Sequence, residues 1–159
     1  MRLACQVVRF AAQKCYHTTA ANAVPAHGAL HVRRAAHRTS FDVFHTRSRS
    51  WLQASEEQDE QLWAPAILVS EVAAALSRGQ SDPMLALKAV RRLRASRRLR
   101  LVAVSTSLAF SAAQVAAQQR MRGCDALYVA LAQRLGETLV TLDRRQLERG
   151  AMLIETRQP

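Results

Sequence analysis

Acidic residues are missing from the first 40 positions of this 159-residue chain, where Arg2, Arg9, Lys14, Arg33, Arg34 and Arg38 carry charge of one sign only. Residues 41 to 159 hold the other 17 Lys and Arg and all 12 Asp and Glu, so the composition changes near residue 40. The first segment also lacks any sustained period of 3.6 or 2.0, which predicts no regular element in it. It reads as an atypical basic leader, disordered or mis-joined; an organelle transit peptide is the other reading of an Arg-rich, acid-free start. Its His27 and His31 have the spacing of zinc ligands, but Cys5 and Cys15 are not the close cysteine pair that a finger needs. With Cys124 they make three, an odd number without framework spacing, which excludes a disulfide scaffold and predicts reduced thiols in a cytoplasmic protein. No apolar run reaches the roughly 18 residues of a membrane-spanning helix, so no membrane span is expected. Aromatics are 5% of the chain, which leaves stacking-based capture of single-stranded nucleic acid unsupported. What is abundant is positive charge: the net +11 favours anionic partners, nucleic acid first and a membrane surface second.

From residue 41 the pattern is regular and long enough for one domain with a real core. "HTRSRSWLQA" predicts a short amphipathic helix with Trp51 and Leu52 inward, "EEQDE" an acidic turn, and "QLWAP" a brief strand. "PAILVSEVAAALSRG" predicts a mostly buried helix, with Pro65 in its first turn and Gly79 as its stop, and Asp82 and Pro83 start another in "DPMLALKAVRRLRAS". Then come strand "LRLVAV", an Ala-rich helix from Thr106 to Met121, and an edge strand "AMLIET" at the end. Strands alternating with helices predict an α/β layered fold with a mostly parallel sheet.

"GCDALYVALAQRLGETLVTLD", residues 123 to 143, is apolar nearly all round, which predicts an enclosed helix stopped at Gly136 and then a central parallel strand. A carboxylate stands at each end. Asp125 opens the helix and Asp143 follows the strand, at the edge where parallel sheets place ligands; each is equally readable as an N-cap. Glu71 is a third acid on an apolar stripe, with Ile67, Leu68, Ala74 and Ala75 three and four positions away. A buried carboxylate needs an Arg partner or a cation. If the three converge, two carboxylates about 4 Å apart repel by roughly 4 kcal/mol at an effective dielectric of 20, and a divalent cation relieves that. Oxygen donors without His or Cys nearby favour Mg²⁺ or Mn²⁺. Cys124 has no His partner in this region and is read as packing.

"LWAPAILVSEVAAAL" followed by "RGCDALYVALAQRLGETLVTLDRRQLERG" resembles the PIN domain, specifically the VapC-type ribonuclease toxins of toxin-antitoxin pairs, over residues 41 to 159. The resemblance implies a PIN-like layered fold and matches Glu71, Asp125 and Asp143 to catalytic and metal-holding acids, with Thr141 supporting Asp143. It also implies a central first strand ending in an Asp that is the first metal ligand; this chain has no acid before Asp42, so that strand is absent or replaced. Asp42 itself falls in "FDVFHTRSRSWL", which is similar to the family's segment after the first strand. A complete member is implied to be a Mg²⁺-dependent endoribonuclease, in which a metal-activated water attacks an RNA phosphodiester, with a cognate antitoxin as partner and a homodimer as assembly. Arg144 and Arg145, directly after Asp143, are candidate RNA contacts. "RRLRASRRLR" fits RNA phosphates, an acidic antitoxin segment or a plain solvated face equally. The alternative function is a non-catalytic PIN-like protein that binds antitoxin or RNA without hydrolysis. A flavodoxin-like response module ranks below both, for want of the early strand that carries its acids.

Overall fold

In chain order the elements are β1 (Cys5–Arg9), α1 (Phe41–Glu57), β2 (Gln61–Pro65), α2 (Leu68–Gln80), α3 (Pro83–Ala95), β3 (Leu99–Val102), α4 (Thr106–Gln119), α5 (Gly123–Leu135), β4 (Thr138–Thr141), α6 (Arg144–Gly150) and β5 (Thr156–Arg157). The structure, a computed structural model, describes residues 5–9, 41–80 and 83–159. Its five strands form one sheet in the order β3-β2-β1-β4-β5, and every pairing is parallel. This is the expected α/β layered fold, its sheet parallel throughout among the described residues. The chain builds outward from β1 to β2 and β3, then crosses back to β4 on the other side of β1, so the connections diverge between β1 and β4. That divergence is the switch point at which open parallel sheets leave a crevice beyond their carboxyl ends.

One expectation is corrected at the sheet centre. No element was expected among residues 1 to 40, yet Cys5–Arg9 pairs with both β2 and β4. Lack of periodicity misleads here because a strand covered on both faces need not alternate. "CQVVR" is too short to show a pattern, and it is recognisable only through its neighbours. The place of the first strand is thus filled, by a segment whose last residue, Arg9, lies in register with Thr141. The zinc-like His27 and His31 and the Asp82 cap lie outside the described residues.

α5 explains its own composition. It packs against β1, β2 and β4 on one side and α4 on another, which is why Ala126, Val129, Leu131 and Ala132 are all buried. Burying a side chain the size of Leu131 or Leu139 contributes about 1.5–3 kcal/mol. On this face the core joins α2, α3, α4 and α5; on the other, Trp51 and Leu52 of α1 cover Leu62 and Val140, as their inward placement predicts. α5 ends at Gly136 with φ 67°, a left-handed cap whose N–H returns to the Ala132 and Gln133 carbonyls. Several boundaries differ from expectation. The short helix is 17 residues long, Phe41–Glu57, and takes in the first two acids of the expected acidic turn, and the strand expected over "LRLVAV" stops at Val102. Pro65 closes β2 instead of opening α2, and α2 runs through Gly79 to Gln80. The terminal strand is Thr156–Arg157, with residues 151–154 forming a turn. Gly150 requires that turn: a Cβ there would lie 3.1 Å from Thr156 Cγ2.

Candidate active site at the carboxyl edge of the sheet

Parallel strands deliver everything that follows them to one edge. α2 starts three residues after β2, and Glu71 sits in its first turn. Asp143 comes two residues after the end of β4 and is the N-cap of α6, its Oδ1 accepting from Gln146 N at 3.1 Å. α5 leads into the amino end of β4, so it runs back across the sheet and its own start, with Asp125, stands at the carboxyl edge. Asp125 is not a cap. Arg122 holds that position, and Asp125 lies in the first turn, 5% exposed. The N-cap reading therefore holds for Asp143 and fails for Asp125.

Two side chains tie together the elements that carry these acids, and neither stood out in the sequence. Tyr128, one turn along α5 from Asp125 and fully buried, donates its hydroxyl to Glu71 Oε2 at 2.6 Å. So short a bond is typical of an acceptor that carries charge. Gln146 of α6 is also fully buried. Its Nε2 donates to the Asp125 carbonyl at 2.9 Å and its Oε1 accepts from Thr141 Oγ1 at 2.7 Å. Thr141 Oγ1 in turn accepts from Asp143 N at 3.0 Å. The strand end, the start of α6 and the start of α5 are therefore joined by one set of hydrogen bonds. The signal for Tyr128 was a hydroxyl on an otherwise apolar helix; for Gln146 it was an uncharged amide in a run of arginines.

Arg144 and Arg145 are exposed beside Asp143. Arg144 bonds Glu148 one turn on, at 2.6 Å, and that bond and charge raise the guanidinium above its already high pKa, so it stays charged at every accessible pH. Cys124 is exposed, contrary to the packing role expected of it, and lines a shallow apolar pocket with Val104, Ala109, Ala112 and Leu127.

A model of the PIN domain matches residues 36–151 of this sequence. The chain belongs to the PIN domain family. A search of curated proteins found no match. Membership suggests nuclease activity in general, acting on nucleic acid and of the divalent-metal-dependent kind. The donor set of this PIN domain is right in kind for such a metal, being all oxygen at one edge, but not in arrangement. Among the described residues no three His, Cys, Asp or Glu side chains gather closely enough to hold an ion. The central strand ends in Arg9 and is followed in the sequence by Phe10, so it brings no carboxylate to this edge at its last described residue. Among the described residues no helix is long and apolar enough to cross a membrane.

Proposed function

We propose that this PIN domain is a Mg²⁺- or Mn²⁺-dependent endoribonuclease of the VapC toxin type by descent, and that the chain as written binds RNA but hydrolyses it weakly or not at all. The observation that carries this reading is the edge itself: Glu71, Asp125 and Asp143 come to the carboxyl end of one sheet beside its switch point, on elements tied by Tyr128 and Gln146. In this reading the three acids are the residues that would hold a cation, though they do not gather around one site in this structure, Thr141 holds Asp143 through its backbone N–H, and Arg144 and Arg145 would face substrate phosphate. Mg²⁺ demands near-octahedral oxygen geometry and gives up water reluctantly, so a set short of one carboxylate holds it poorly. The absence of a three-acid cluster among the described residues and the Arg9 end of β1 favour binding without cleavage as the second reading.

The remaining parts follow the same type. The partner is a cognate antitoxin, the assembly a homodimer, the location the cytoplasm, and β1 with the segment after it stands in place of an acid-ended first strand. Reading the other frames of the coding sequence for an apolar strand ending in D-x-S or D-x-T tests that last point. The function itself is tested by incubating RNA with Mg²⁺, with and without EDTA, using the chain as written and Asp143→Asn. Weak or absent cleavage is expected of the chain as written. Robust cleavage abolished both by EDTA and by Asp143→Asn would refute the loss of activity while keeping the site. Robust cleavage insensitive to both would refute the site.

A further inference from the structure

Residues 83 to 124 contain no Asp or Glu and nine Lys and Arg, the most one-sided stretch of the described fold. Six of these, Lys88, Arg91, Arg92, Arg94, Arg97 and Arg100, are exposed and make no ion pair among the described residues. Lys88, Arg91 and Arg92 are three and four positions apart on the face of α3 opposite Ala86, which is buried, and Leu93, which packs on the core. α3 passes into β3 through Ser96–Arg98 only, so its basic last turn sits at the amino end of the edge strand. Arg98 fixes this junction. Its guanidinium bonds the Ser55 carbonyl at 3.3 Å and Asp59 at 3.2 Å, and its own carbonyl accepts from Leu62 N at 2.8 Å. The ridge is thus mounted on the sheet by one arginine and leaves the others to solvent.

We propose that these six exposed cations form a docking ridge for the phosphate backbone of RNA at the amino end of the sheet, apart from the acids at its carboxyl edge. The proposal rests on the nucleic-acid reading of the PIN domain and adds where the substrate is held. A four-residue strand spans about 13 Å, so the α3–β3 junction with Arg97, at the amino end of β3, stands about that far along the strand from the carboxyl edge. A protein partner is the less favoured occupant. Protein interfaces are held by apolar or aromatic anchors in desolvated pockets, and the exposed positions from 91 to 100 carry only arginines, Ala95 and Ser96; the exposed Met84 and Leu87 stand one turn before Lys88 and Arg91, so apolar surface borders the ridge only at its start. Phosphates need charge and not anchors, and the scarcity of aromatics agrees with backbone recognition.

The test measures binding of the full chain to a fluorescent single-stranded RNA about 16 nucleotides long, in EDTA so that no hydrolysis intervenes, across a series of salt concentrations. Each phosphate contact on a single strand contributes about 0.7 to the slope of log K against log salt. Arg91→Ala, Arg92→Ala and Arg94→Ala together should therefore flatten the slope by about 2, and the three corresponding Lys substitutions should restore it. The residues are exposed, so unchanged thermal unfolding should accompany the loss. An unchanged slope in the triple Ala variant overturns the ridge, as does failure of the unaltered chain to bind RNA. Tighter binding of poly-glutamate than of RNA through the same three arginines assigns the surface to an acidic protein and also overturns the proposal. Because no cleavage is read, a failure of the proposed hydrolysis leaves this result standing, and the two outcomes are separable.

Discussion

Gln146 and Thr141 offer the sharpest test of how the acids are held. Replacing Gln146 with Leu keeps the bulk of a fully buried side chain and the backbone N–H that caps Asp143, but removes two hydrogen bonds, to the Asp125 carbonyl at 2.9 Å and from the Thr141 hydroxyl at 2.7 Å. Each such bond is worth about 1 kcal/mol net, and a buried hydroxyl left without its acceptor costs about 1–3 kcal/mol more. Thr141 is 1% exposed, so water does not replace the acceptor. The single variant should lose about 3–5 kcal/mol. Thr141→Val should lose a similar amount, because it strands both Gln146 Oε1 and the Asp143 N–H that Thr141 accepts at 3.0 Å. The double variant removes donor and acceptor together and should cost less than the two single losses combined, by about 1 kcal/mol or more, the coupling expected of residues in one network. Urea unfolding of the four proteins reads this directly, provided the denaturant slope stays constant. Additivity within about 0.3 kcal/mol would mean that the two side chains act independently, and the network account of the site would fail.

Tyr128→Phe deletes only the hydroxyl that bonds Glu71 at 2.6 Å, and should destabilise the chain by about 1.5–3 kcal/mol, the range for bonds to charged groups; thermal unfolding checks it, and a silent substitution would show that Glu71 is held by other groups. Gly136→Ala should cost about 1–2 kcal/mol because φ 67° places a Cβ against the following carbonyl, whereas Gly150→Val should cost about 1–3 kcal/mol through overpacking against Thr156, Val129 and Leu139. Their unfolding midpoints in urea measure both. Arg9→Asp or, one residue on, Phe10→Asp should bring RNA cleavage in Mg²⁺ that EDTA abolishes, because β1 ends in register with Thr141; no gain in either variant refutes the missing-ligand explanation for weak activity.

The body of the fold was legible because its signals are local. The all-round apolarity of residues 126 to 132 requires a helix enclosed by protein, and α5 is enclosed; Gly136 requires a left-handed stop, and it is one. The boundaries at Pro65 and Gly79 were misplaced because proline is as compatible with the end of a strand as with the first turn of a helix, and because packing of α2 on α3 outweighs the roughly 1 kcal/mol that an internal glycine costs. For the site, the expected gathering of the three acids around one ion is not found among the described residues, although the address of each, set by the element it follows, was readable. The ties were not. Tyr128 meets Glu71 across 57 positions and Gln146 meets Asp125 across 21, distances over which no spacing rule operates.

The central strand separates the requirements of folding from those of chemistry. The middle of a parallel sheet demands backbone donors and acceptors at the right register and side chains that tolerate cover on both faces. "CQVVR" meets the register with both neighbours. Nothing in those requirements asks for a carboxylate at the end of the strand. A charged ligand at a sheet edge contributes repulsion from other acids until a cation arrives, so its loss does not weaken the sheet and removes a source of strain. On the proposed reading, a chain whose first strand ends in Arg9 would therefore keep the whole α/β layer and the hydrogen bonds of Gln146 and Tyr128, while hydrolysis, which needs every acid in place, would be the first function to be lost.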